Sequence, residues 1–117
     1  MTRRYAHLIA VAILIAAFSV RVFAQQEVLE ELRARAEQGD AEAQLVLGIA
    51  YNRGRGVVQD FVQAHVWQNL AASRLTGDNR KAASEGRDAL ARVMTPDQIA
   101  EAQRLAREWD AAHSREP

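Results

Sequence analysis

The stretch GDAEAQLVLGIAYNRGRGVVQDFVQAHVWQNLAA, Gly39 to Ala72, decides the fold. Gly39 can close a preceding helix in the left-handed conformation, and Asp40 is a good N-cap for the next. Ala41, Ala43, Leu45, Val46, Leu47, Ile49, Ala50 and Tyr51 then cover most of a helical circumference. Such a helix, running to about Asn52, is expected to lie between neighbours. Gly54-Arg55-Gly56 breaks it. Asp60 caps a third helix, with Gln63 at N3 in a capping-box arrangement. Phe61, Val62, Ala64, Val66, Trp67, Leu70, Ala71, Ala72 and Leu75 make that helix apolar on more than one face.

The same signals continue on both sides. Gln26 to Gln38 carries a modest apolar stripe of Val28, Leu29, Leu32 and Ala36. After the third helix, Gly77-Asp78 repeats the stop-and-cap signal. A fourth helix, about Asp78 to Met94, has a stripe of Ala82, Gly86, Ala89, Leu90 and Val93. Thr95, Pro96 and Gln98 then spell N-cap, N1 proline and capping-box partner, with Met94 and Ile99 placed as a hydrophobic staple. The fifth helix carries Ile99, Ala102, Leu105, Ala106, Trp109 and Ala112 on one stripe, and Ser114 to Pro117 is expected to fray. No β-branched run or sustained alternation suggests a strand. The expectation is all-α: a short α-hairpin solenoid of about five antiparallel helices.

Leu8 to Val20 is apolar apart from Ser19, preceded by Arg3 and Arg4. The run is shorter than the ~20 residues of a transmembrane helix and suits the core of a signal peptide. Val22 and Ala24 supply small residues for cleavage after Ala24. Residues 1–24 are therefore expected to be a signal peptide and residues 25–117 the folded domain, periplasmic or secreted. A buried core helix and a retained anchor are the other readings. With no cysteine in the chain, lipoprotein processing, disulfides and thiolate metal sites are excluded.

Charge narrows the partners. The 15 basic residues balance 15 acidic ones, so there is no basic excess for nucleic acid. Cleavage would remove Arg3, Arg4 and Arg21, leaving a net charge of about −3, which disfavours an anionic membrane surface. Lys81 is the one lysine, and Arg dominance with abundant Ala suggests a GC-rich bacterial source.

The segment Gly39 to Ala72 resembles the Sel-like repeat, a tetratricopeptide-type helix pair. Ala41, Ala43, Gln44, Leu47, Gly48, Tyr51, Gly54, Gly56, Val57, Asp60, Ala64, Trp67, Ala71 and Ala72 match the family's order and spacing. MTPDQIAEAQRLAREW, Met94 to Trp109, resembles the closing helix of small bacterial members. One complete repeat, about residues 39–73, is present, with a divergent helix pair at about 78–113. Repeat folds usually need about three units, so flanking helices must cap the stack or self-association must complete it.

The resemblance implies a protein- or peptide-binding adaptor with a shallow groove. Its candidate lining is Glu42, Leu45, Val46, Ile49 and Arg53 on the second helix, with Asn69 and Arg74 at the rim. The alternatives are a structural accessory subunit completed by oligomerisation, or a small hydrolase or ligand-binding protein around His65. Nothing supports the last. His65 lies among apolar residues and reads as a packed histidine, and His113 reads as solvated. No Gly-x-Ser-x-Gly elbow, phosphate loop or His pair with metal-ligand spacing occurs. No catalytic residue, cofactor or metal is expected.

Overall fold

A computed structural model describes residues 3–114; residues 115–117, most of the tail expected to fray, lie outside it. It contains α1 (Arg3–Glu37), α2 (Ala41–Arg53), α3 (Phe61–Arg74), α4 (Gly77–Ala91) and α5 (Pro96–His113), with no strand among the described residues. The chain divides into two compact units, Met1–Glu30 and Glu31–Pro117.

The first unit is helical throughout its described residues, and its large apolar side chains are exposed: Leu14, Phe18 and Phe23 are each about two-thirds or more accessible. The helix is long and apolar enough to cross a membrane. A separate helix was expected from Gln26; instead α1 continues through Ala24, Gln25 and Gln26 without a break, because no glycine or proline interrupts it there.

In the second unit, local chemistry sets the helix ends. Asp40 Oδ1 accepts the Ala43 N–H at 3.1 Å, while Arg35 donates to Oδ2 through Nε and Nη2 at 3.0 and 2.6 Å. The Ala43 N–H and the Arg35 guanidinium hold the Asp40 carboxyl below the usual range. Gly54 ends α2 at φ +66°, its N–H returning to the Ala50 carbonyl. Asp60 caps α3 through the Gln63 N–H at 3.0 Å. The expected box is only half made, since the Asp60 N–H donates instead to the Tyr51 carbonyl at 3.0 Å.

The turn after α3 differs from expectation. The helix stops at Leu75, which is extended and packs on a cluster of Ala71, Ala72 and Ala83 with Leu45. Thr76 precedes α4 without a side-chain cap bond. Gly77, at φ +61°, therefore opens α4 and does not close α3. Asp78 sits in the first turn of α4, where its charge suits the helix dipole. The buried stripe of this region is also shifted from the expected one. Ala83, Leu90 and Met94 are buried, with Gly86 and Arg87 partly so, whereas Ala82, Ala89 and Val93 are exposed.

The full capping box forms at α5: Gln98 N–H to Thr95 Oγ1 at 3.1 Å, and Thr95 N–H to Gln98 Oε1 at 2.9 Å. Ala102 and Ala106 are buried beneath it. Thr95→Ala is expected to cost about 1 kcal/mol, read as a lower urea midpoint at unchanged slope.

α3 is the centre of the unit. It approaches α2, α4 and α5 closely, and α2 makes a smaller approach to α4. α4 and α5 thus lie against α3, not against each other as a closing pair. The expectation that α2 is enclosed all round is also corrected. Ala43, Gln44, Leu47 and Gly48 are buried, but Glu42 and Arg53 are exposed and Val46 is 51% accessible.

Candidate binding surfaces

The groove candidates separate into an outward strip and residues held within the stack. Glu42, Val46, Ile49 and Arg53 recur at steps of four, three and four, which puts them within about 60° of each other on the helix. That face is opposite the buried one. Ile49 is half-buried, and Glu42 and Arg53 are exposed. Leu45 lies to one side, packed against the Ala71–Ala72–Ala83 cluster. The other two candidates join α3 to its neighbours. Asn69 Oδ1 accepts from Arg87 Nη1 of α4 at 3.0 Å. Arg74 Nη2 donates to Asp110 Oδ1 of α5 at 2.7 Å, and its guanidinium lies 4.7 Å from the Trp109 ring centre.

Trp109 gathers a second feature, a cleft of about 590 Å³ bordered by Glu37, Gly39, Arg74, Trp109 and His113. Trp109 meets Trp67 edge-on at 6.3 Å and 70°. Its Nε1–H donates to Glu37 Oε2 at 3.2 Å. His113, expected to be merely solvated, is exposed but stacks on Trp109 at 3.7 Å and 9°. The apolar spacing of α5 placed Trp109 in the stripe, but these long-range partners, up to 72 residues away, leave no local signature.

Three polar side chains are buried: Gln44, His65 and Gln68. Gln44 Nε2 donates to the Ala36 carbonyl at 3.1 Å, satisfying one of the open acceptors at the end of α1. Gln68 lies between two glycines. A Cβ on Gly48 would come within 2.7 Å of Gln68 Cγ, and one on Gly86 within 2.2 Å of Gln68 Oε1. His65 is 4% exposed, the packed position that its apolar neighbours suggested. Burial pushes its pKa down, the Arg87 charge adds to this, and Asp88 opposes it.

Folding therefore favours the neutral form of His65. Stability is expected to be complete above the ordinary imidazole value of ~6.5. It should fall as pH drops from there towards the lower folded-state value, because only the unfolded chain takes up the proton in that window. His65→Gln should flatten this part of a urea-midpoint profile. An unchanged slope in the variant would assign the pH dependence elsewhere.

Among the described residues no group of three or more His, Asp or Glu converges to hold a metal ion. The two surface features are an apolar strip ended by opposite charges and an aromatic cleft.

No known family profile matches the sequence, and no curated protein does. Among solved structures, the chain is similar to a protective antigen present in uropathogenic Escherichia coli strains, described as displaying an SLR (Sel-like repeat) fold. The two share 31% identity at a TM-score of 0.67, over 74% of this chain and 18% of that one. The chain thus spans under a fifth of that protein's length. The fold of this chain is that of a Sel-like repeat protein, as Gly39 to Ala72 suggested.

Proposed function

We propose, from the Sel-like repeat fold, that this chain is an exported scaffold that binds another protein or peptide in the cell envelope. The observation that carries the reading is the outward strip of α2: Val46 is half exposed between two charged residues, on the face opposite the core. An apolar strip at this spacing suits a single partner helix. The apolar residues of α1 support export, with cleavage after Ala24.

Two experiments test this. The tagged full chain, in mild detergent, should retain a reproducible partner from envelope extract, and Val46→Asp should lose it. Equal retention by Val46→Asp would remove the strip from the reading. N-terminal sequencing of protein from the envelope fraction should begin at Gln25. An intact N-terminus on protein confined to the cytosol would overturn export. A second reading, an accessory subunit completed by oligomerisation, is favoured by the opposite charges, Glu42 and Arg53, at the two ends of the same strip.

A further inference from the structure

We infer that the outward strip of α2 pairs with the same strip of a second copy of this chain, the two helices antiparallel. This rests on the reading of α2 as a binding surface and takes the second of the two occupants given above, another copy of the chain in place of a foreign partner.

Glu42, Val46, Ile49 and Arg53 have the four–three–four spacing of a coiled-coil seam. The apolar pair sits in the middle and the ends carry opposite charges. Among the described residues neither Glu42 nor Arg53 makes an ion pair. When a second α2 is laid end-for-end against the first, Glu42 falls opposite Arg53 of the other copy, and Val46 opposite its Ile49. Each pairing occurs twice, related by a two-fold axis between Leu47 and Gly48. The strip is therefore self-complementary, which is the requirement of an isologous interface.

Charge selects the direction. A parallel arrangement would set Glu42 against Glu42 and Arg53 against Arg53. The antiparallel one turns both into attractive contacts and also opposes the two helix dipoles. The strip spans three turns of one helix, well below the ~800 Å² per partner of a standard interface. The pairing is accordingly reversible and concentration-dependent, and weaker in high salt.

Because the chain has no cysteine, single cysteines can report the register. Full-length chains carrying Glu42→Cys or Arg53→Cys, with tags of different size, are mixed in detergent and mildly oxidised. The mixed disulfide should form at least tenfold faster than either self-disulfide. In the proposed register position 42 faces position 53 of the other copy, while the two positions 42 lie about 16 Å apart along the axis. A disulfide tolerates a Cα separation of no more than ~7 Å. Circular dichroism checks that each variant is folded.

Charge reversal gives a second measurement. In chains bearing Val46→Cys mixed with chains bearing Ile49→Cys, Glu42→Arg in both should abolish cross-linking, and adding Arg53→Glu should restore it. No preference for the mixed disulfide, as association through α1 alone would give, overturns self-pairing. So does failure of the reversal to restore it. If Val46→Asp still loses an envelope partner in that case, a foreign helix occupies the strip and the scaffold reading stands without the dimer.

Discussion

Gly48→Ala is expected to lower the stability of the helical unit by about 2 kcal/mol, moving the melting midpoint down by about 10 °C. In an isolated helix the same change would stabilise, since Ala exceeds Gly by ~1 kcal/mol in helix propensity. Here the sign reverses because α2 and α3 touch at this point. The added carbon would meet Gln68 Cγ at 2.7 Å, the Gln68 backbone nitrogen at 3.1 Å and the Ala64 carbonyl oxygen at 3.2 Å. Two of those atoms are backbone, so relief requires the helices to part. Gly86→Ala provides the contrast. Its three close neighbours, at 2.2 to 3.4 Å, all belong to the end of the Gln68 side chain, which can turn away. Its loss should be smaller, and Gln68→Ala should suppress it in the double variant. Gln68→Ala should not rescue Gly48→Ala. Equal rescue of both would mean that the side chain, and not the backbone approach, limits the α2–α3 distance.

Trp109→Ala should cost about 3 kcal/mol. The ring ties α5 to the rest of the unit by its edge-on contact with Trp67, the Arg74 cation above it and its bond to Glu37; its stack with His113 stays within α5. Aromatic pairs and cation–π contacts add to area burial, so truncation removes more than apolar surface. Trp109→Phe should recover most of the loss, because the phenyl ring keeps the contacts and gives up only the Nε1–H. Urea unfolding measures both. As the chain has two tryptophans, the remaining Trp67 fluorescence reports directly on the α3–α5 contact. A loss below about 1 kcal/mol would show that Ala102 and Ala106 alone hold α5 in place.

The helix ends were the part most open to reading from the sequence. Asp40, Asp60, Gly54 and Thr95 act on groups three or four residues away, so the chemistry and its target sit in one window. The Sel-like pattern from Gly39 to Ala72 extended this to the fold. Reading weakened wherever a partner lies on another helix. The expected α4 stripe keeps Gly86 and Leu90 but takes in exposed Ala82 and Ala89 and omits Ala83, whose burial against Ala71 and Ala72 of α3 depends on another helix. Likewise Leu75 stops α3 by packing on alanines of two helices, which made Gly77 look like the stop. A buried Gln is invisible until the small residues facing it are known. The candidate surface shows the same division. The resemblance grouped Leu45 with Glu42, Val46, Ile49 and Arg53, but Leu45 packs on the Ala71–Ala72–Ala83 cluster, and the contacts of Asn69 and Arg74 depend on Arg87 and Asp110, distant in sequence.

The central place of α3 bears on how this unit comes apart. In long repeat arrays, terminal modules can fray while the interior persists, because each interface involves only adjacent repeats. Here α2, α4 and α5 all pack on one helix, so release of α3 dissolves nearly every interface together. The unit should melt in a single step despite its Sel-like repeat fold. Backbone amides from Ala64 to Leu70 should exchange with deuterium only at the rate of global opening, while those near Arg53 and His113 exchange sooner. α3 is thereby converted from a link in a chain into a keystone.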